Sequence, residues 1–275
     1  MTTIQNIISL VTELAPQKYA YDWDNVGLQM GKFNQKVKRV LLTLDINGKV
    51  LAEALEKNCE LIISHHPLIF KGINSIHDQT ETGRILLKAA KNNISIFSAH
   101  TNMDVAPGGL NDYLAKLLNI EVLNVLEAND EIKGNQISKK EKVIGVGRIG
   151  NLDKKIILKE YLELIKKKLN IKHLKYHGDK NKIIKKIAVC NGSGADFIKN
   201  AHYSGADLYI TSDVKYHEAQ LAEEFNLALV DAGHYETEII FRDLIYSYLK
   251  EKAEKKKFDI NLYKSTINTN PWNYL

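Results

Sequence analysis

Short β-branched apolar runs alternate with stretches of helical periodicity along most of this chain. "KRVLLTLDI" (38–46), "ELIISHH" (60–66) and "ISIFSAH" (94–100) read as strands. The segments between and after them, "GKVLAEALEKN" (48–58), "TGRILLKAAKNN" (82–93) and "GGLNDYLAKLLN" (108–119), carry apolar residues at helical spacing. "MTTIQNIISLVTELAP" at the start reads as an amphipathic helix. This βαβαβα order predicts a mostly parallel sheet with helices on its faces.

A looser stretch follows. Residues 127–141 are polar and turn-prone, 142–150 read as a strand, 152–170 as a helix with Asp153 as its N-cap, and 171–178 as a further strand. The alternation then resumes. Strands are expected at 185–194, 206–213, 227–234 and 258–265, with helices at 195–205 and 214–226 and one long helix at 235–256. The reading is therefore α/β, with a first half at 1–126, a basic connecting region at 127–185 and a second half at 186–275. No internal repeat of 20–50 residues is evident.

Composition narrows the class. The chain has 275 residues, 44% hydrophobic and 26% charged, which suits one large domain or two ordinary ones. No apolar run is long enough to span a membrane, and the N-terminus lacks the basic region of a signal peptide. Two cysteines, Cys59 and Cys190, fall in or beside expected core segments and fit no metal spacing, so a reduced, cytoplasmic protein is expected. Residues 131–186 carry 17 Lys and Arg against 6 Asp and Glu, a local +11 that leaves the rest of the chain at −6. These lysines lie between periodic apolar residues and lack interleaved aromatics, which favours a solvated face over a nucleic-acid surface.

The polar chemistry collects at the carboxyl ends of the expected strands, where open α/β sheets bind ligands. The second strand ends in His65 and His66, with Pro67 turning the chain out of the sheet at once. "SAHTNMD" delivers His100 and Asp104, "TSD" delivers Asp213 with His217 four residues on, and "DAGHYETE" delivers Asp231, His234, Glu236 and Glu238. His234 and Glu238 are spaced i, i+4 and share a face if a helix starts near His234. Each residue alone also has a plainer reading as a helix cap, a first-turn acid or a turn residue. Together His65, His66, Asp104, His234 and Glu238 form a mixed imidazole and carboxylate set suited to Zn, Mn, Fe or Ni. Five ligands exceed the need of one open ion and suit two ions about 3.5–4 Å apart.

The stretches "WDNVGLQMG" (23–31), "ISHHPLIFKG" (63–72), "FSAHTNMDVAPGGLND" (97–112), "YITSDVKYHEA" (209–219) and "DAGHYETE" (231–238) resemble, in order, the Nif-three-like dinuclear metal proteins, a family labelled GTP cyclohydrolase 1 type 2 homologues. The resemblance implies two facing α/β domains with a two-metal site between them, and a homo-oligomer in the form of a toroidal hexamer. It implies that His66 and Asp104 hold one ion, His65 and His234 the other, and that Glu238 bridges both. His100 would stand beside the site and, like His217, is a candidate for moving protons. "TSD" departs from the "TGD" frequent in the family and adds the Ser212 side chain near the pocket. The middle region is too short for the extra domain of longer relatives, so this is a short form. In "WDNVG", Asp24 and Asn25 are expected on a loop at the rim of the site, or else Trp23 is packed inside and Gly27 makes a tight turn. The function expected is metal-dependent hydrolysis of a nucleotide-like or phosphorylated small molecule, with a non-catalytic metal-binding or regulatory assembly as the alternative.

Overall fold

Residues 1–128 and 144–273 are described by the computed structural model, and they fold as mixed α/β around two separate sheets. In chain order the elements are α1 (Ile4–Leu14), β1 (Gly27–Met30), β2 (Arg39–Thr43), α2 (Gly48–Glu56), β3 (Leu61–Ser64), α3 (Glu81–Lys91), β4 (Ser95–Ser98), α4 (Thr101–Val105) and α5 (Leu110–Leu117). The chain continues through β5 (Glu121–Ala128), β6 (Gly145–Ile157), α6 (Leu158–Leu169), β7 (Lys175–His177), β8 (Ile183–Ser193), α7 (Ile198–Tyr203), β9 (Leu208–Ser212), α8 (Tyr216–Glu224), β10 (Ala228–Asp231), α9 (His234–Glu238), α10 (Phe241–Lys256) and β11 (Asn261–Lys264). The turn-prone stretch expected at 127–141 lies almost wholly outside the described residues. No helix among the described residues is long and apolar enough to cross a membrane.

The first compact unit joins Met1–Met103 to Phe241–Pro271. Its sheet has the order β1-β4-β3-β2-β11, parallel throughout except where β1 runs against β4. β2, β3 and β4 are buried along almost their whole length because helices cover both faces, which is why they read as unbroken apolar runs. Leu41, Val50, Leu51, Ala54, Ile62, Ile85, Ala89, Ile94 and Ile96 close one core, with Cys59 among them. Caps set the helix starts: Asn47 accepts from Lys49 N and Val50 N to open α2, and Thr80 accepts from Gly83 N to open α3.

A buried carboxylate ties the returning C-terminal segment into this unit. Glu53, 6% exposed on α2, accepts from Ser265 Oγ at 2.5 Å, Thr266 N at 3.0 Å and Thr266 Oγ1 at 2.9 Å. Burial pushes the Glu53 carboxyl up, but the donors on Ser265 and Thr266, with Lys57 nearby, outweigh burial and hold it below the usual carboxylate range. Its contribution to stability is thus complete above that range and is lost as pH falls through the lowered folded value. Glu53→Gln should cost about 1–3 kcal/mol at neutral pH and make the acid side of the stability curve shallower. Thermal melts of both proteins from pH 3 to 7 check this; parallel curves would show that Glu53 is no acid-sensitive anchor.

The second unit spans Asp104–Ile240. Its sheet, β5-β6-β8-β9-β10-β7, is mixed rather than mostly parallel: only β8-β9 and β9-β10 are parallel. The units do not follow the three-part division expected from the sequence. Residues 104–126 belong to the second unit, and the region read as a connector supplies β6 and β7 to its sheet and contributes α6. Residues 241–271 return to the first unit, where β11 adds in parallel beside β2. A linear pattern of elements cannot show such a discontinuous unit.

Local differences have local causes. β6 runs on to Ile157, pairing Ile156 and Ile157 with Ile184 and Ile183 beyond an irregularity, so Asp153 lies in a strand and caps nothing. α6 opens at Leu158 and buries Leu158, Tyr161, Leu162, Ile165 and Leu169, leaving its lysines on the other side. The single helix expected over 235–256 is two, α9 and α10.

Candidate metal centre

The adjacent histidines of the first unit answer to the edge of its sheet. β3 ends at Ser64, yet His65 N still donates to Thr43 O at 3.3 Å and His66 N to Leu44 O at 3.0 Å. Ser64 Oγ donates to His66 O at 2.7 Å and so curls the chain as it leaves the sheet toward Pro67. The two rings therefore do not go to opposite faces; their centroids are 5.2 Å apart at 40°. His100, just beyond β4, joins them with centroids 5.1 Å from His65 and 5.4 Å from His66. The three offer ligand atoms that lie within 4.8 Å of one another.

Each of these rings is tethered through Nδ1. His65 Nδ1 meets Ala99 O at 2.9 Å, His66 Nδ1 meets Asp45 Oδ1 at 2.6 Å, and His100 Nδ1 meets Asp24 Oδ1 at 2.9 Å. A carbonyl or carboxylate oxygen only accepts, so Nδ1 carries the proton and the lone pair of a neutral ring sits on Nε2. Asp24, whose side chain is fully buried, also accepts from Thr101 N at 3.0 Å and Thr101 Oγ1 at 2.5 Å. Burial pushes its carboxyl up, and the donors on His100 and Thr101 outweigh that and hold it below the usual range.

The second unit assembles carboxylates. α9 starts at His234, so His234 and Glu238 do share a face, and Nε2 of the first lies 2.9 Å from Oε2 of the second. His234 repeats the tether, with Nδ1 2.7 Å from Asp213 Oδ2 at the end of β9. Burial pushes the His234 ring down, but the carboxylates of Glu238 and Asp213 outweigh it and raise its pKa to about 9. Asn191, at the end of β8, donates through Nδ2 to Asp104 Oδ1 at 2.8 Å and to Glu238 Oε1 at 3.3 Å, which fixes two acids about one amide nitrogen. The backbone of Asn191 is itself held by Asn111 Oδ1 at 3.0 Å.

Gly192 completes the cradle. Its φ is +59°, and a Cβ there would stand 2.0 Å from Glu238 Oε1, so only glycine lets the strand pass the carboxylate. Ser212, the departure in "TSD", is buried and turns its hydroxyl to Gly192 O.

Other expected candidates take different parts. His217 is exposed on α8 and meets Gln220 Oε1 at 2.9 Å; it joins neither the histidine group nor the carboxylates about Asn191. Asp231 accepts from Gly233 N, Val214 N and Lys175 Nζ and shapes the loop before α9. Cys59 and Cys190 are free and buried, and burial pushes the Cys59 thiol up to about 12 and the Cys190 thiol higher still, so neither is a nucleophile. Asp45 and Asn191 escaped the sequence reading. Asp45 lies two residues beyond β2 at the same sheet edge as His66, so the strand-end rule already applied to it. Nothing in "CNGSG" marks Asn191 as more than a turn residue.

These features define a two-sheet α/β protein whose histidine and carboxylate groups are able to bind a metal ion. The matching family model is Duf34/NIF3 (NGG1p interacting factor 3), which aligns with residues 2–271, and the chain belongs to that family. Two relatives, from Clostridium acetobutylicum and Clostridium perfringens, are each 35% identical and named "GTP cyclohydrolase 1 type 2 homolog". The match covers 97% of this chain and 93% of the first relative, and 99% of both chains for the second. The solved structure of a Staphylococcus aureus hypothetical protein superposes with a TM-score of 0.90 at 31% identity, over 99% of each chain. The matches to the two clostridial relatives run over 266 and 272 residues, as the short form expects.

Proposed function

We propose that this chain is a dinuclear divalent-metal hydrolase acting on a nucleotide-like or phosphorylated small molecule. The observation that carries the reading is the tether shared by His65, His66, His100 and His234. All four rings give Nδ1 to a carbonyl or carboxylate, the outer support that orients imidazole ligands toward a metal. In this reading His66 and Asp104 hold one ion, His65 and His234 the other, and Glu238 serves both. The ions, Zn, Fe, Mn or Ni by donor type, would supply Lewis acidity and an activated water.

The remaining work falls to the chain's own groups. Asn191 holds Asp104 and Glu238 side by side by donating to both. Asp24 holds His100 through Nδ1, which leaves Nε2 as the atom that takes or gives a proton in this reading. The relatives' name supports water attack on a purine ring as one form of the proposed hydrolysis. The toroidal homo-hexamer implied by the resemblance belongs to the same proposal.

One observation favours a second reading. His65, His66 and His100 come close enough to bind an ion as three ligands, which would fill positions that a catalytic ion keeps open. Metal analysis of purified protein, then a screen of GTP, other nucleotides and phosphoesters with each metal restored, tests the enzyme. Two ions per chain with metal-dependent turnover is the expected result. Full metal with no turnover on any of these substrates would leave a binding module.

A further inference from the structure

The sequence allowed Trp23 to be a packed core residue, and the structure shows the opposite. Trp23 is 59% exposed and Phe70 49% exposed, and both lie in the first unit beside its histidine group. The Trp23 centroid is 5.9 Å from Phe70 and 6.1 Å from His100, and Phe70 is 6.3 Å from His100. Tyr21 backs the indole in a parallel stack, 5.8 Å away at 9°. Even with these three aromatic neighbours more than half of Trp23 faces water.

The arrangement is fixed by polar ties rather than by core packing. Asn25 Nδ2 donates to Ile69 O at 2.5 Å, Gln29 Nε2 donates to Asn25 O at 2.7 Å, and Ile69 N donates to Gln29 Oε1 at 2.9 Å. These three bonds lock the Trp23 loop to the Phe70 loop. Asp24, next to Trp23, is the carboxylate that orients His100. One short segment therefore sets both the aromatic surface and the histidine beside it. Exposed apolar surface held this rigidly signals a binding role. Both rings lie within 6.3 Å of His100, centroid to centroid, so one flat ligand spans from the aromatic surface to the imidazole.

We propose that Trp23 and Phe70 form a stacking platform that holds a planar heteroaromatic ring of the substrate with its edge at His100. This names the part of the substrate that the hydrolase reading leaves open and rests on that reading. Ring stacking tolerates many bases, so the platform selects flatness more than a particular pattern of hydrogen bonds.

The chain has two tryptophans, so a Trp272→Phe background isolates Trp23 emission. Equilibrium titration with GMP should quench it, and ribose 5-phosphate, which lacks the ring, should not. Trp23→Ala, followed by calorimetry, should weaken GMP binding about 5- to 150-fold, the range for loss of one stacking partner, with metal content unchanged. Trp23→Phe should restore most of it. If Trp23→Ala perturbs metal content, Phe70→Leu, which keeps apolar bulk, decides: weaker GMP binding supports the platform and unchanged binding overturns it. Equal binding of GMP and ribose 5-phosphate also overturns it. So does Trp23 emission that shifts with protein concentration alone, since the patch would then be covered by a second copy of the chain. Binding without turnover separates this proposal from the hydrolase reading. Ring binding with no metal-dependent hydrolysis sinks the reaction and keeps the platform, whereas hydrolysis of ring-free phosphoesters with no preference for a ring does the reverse.

Discussion

Glu238→Gln should cost more metal than His65→Ala, with loss of both ions per chain against loss of one. Glu238 is 3% exposed, and its two oxygens face different partners, Asn191 Nδ2 and His234 Nε2. Glutamine matches its shape. The amide oxygen can still accept from Asn191, and the amide nitrogen can donate to the lone pair of neutral His234. The fold is therefore kept while the charge is removed and the His234 lone pair is occupied. A bridging carboxylate serves two ions, and its neutral analogue weakens both. His65→Ala removes one imidazole from one ion and opens a small apolar gap near Phe241, whose ring centroid is 5.1 Å away. Elemental analysis of the two variants, with far-UV dichroism to show that both fold, decides the matter. Two ions retained per chain in Glu238→Gln would sink the bridging assignment.

Much of the geometry around these residues was legible in the sequence because the candidate ligands obey a local rule. His65, His66, His100, Asp213 and His234 all follow closely on the ends of strands whose apolar runs are unmistakable. The spacing of His234 and Glu238 needed only a helix starting at His234, which Gly233, at φ +87°, permits by breaking the chain direction just before it. What the sequence hid depends on partners distant along the chain. Asn191 matters because Asp104 lies 87 positions away in sequence and 2.8 Å away in space. Asp24 matters because His100 and Thr101 return to it. The domain boundaries failed for the same reason, since β11 pairs with β2 across nearly the whole chain. Trp23 was undecidable from composition, because a tryptophan beside an acid and a glycine suits a core corner as well as an exposed loop.

His100→Ala should leave both metals in place and lower the rate of hydrolysis about 10²–10⁴-fold, the usual contribution of a positioned proton-transfer group. The ring is bound to Asp24 through Nδ1, and Asp24 is buried and fixed by Thr101, so the imidazole has one orientation to lose. Asp24→Asn tests the same device from behind. It keeps the size of the side chain and one acceptor, but the negative charge beside His100 is gone. Its defect should appear chiefly in kcat, with a shifted pH profile and little change in KM. A merely structural loss would lower the melting temperature without moving the pH profile. The measurement that discriminates is metal content taken on the same samples as the rates. If His100→Ala strips an ion, His100 is a third ligand of the His65 and His66 group, the proton-moving role is wrong, and the closed, non-catalytic centre becomes the better account of this chain.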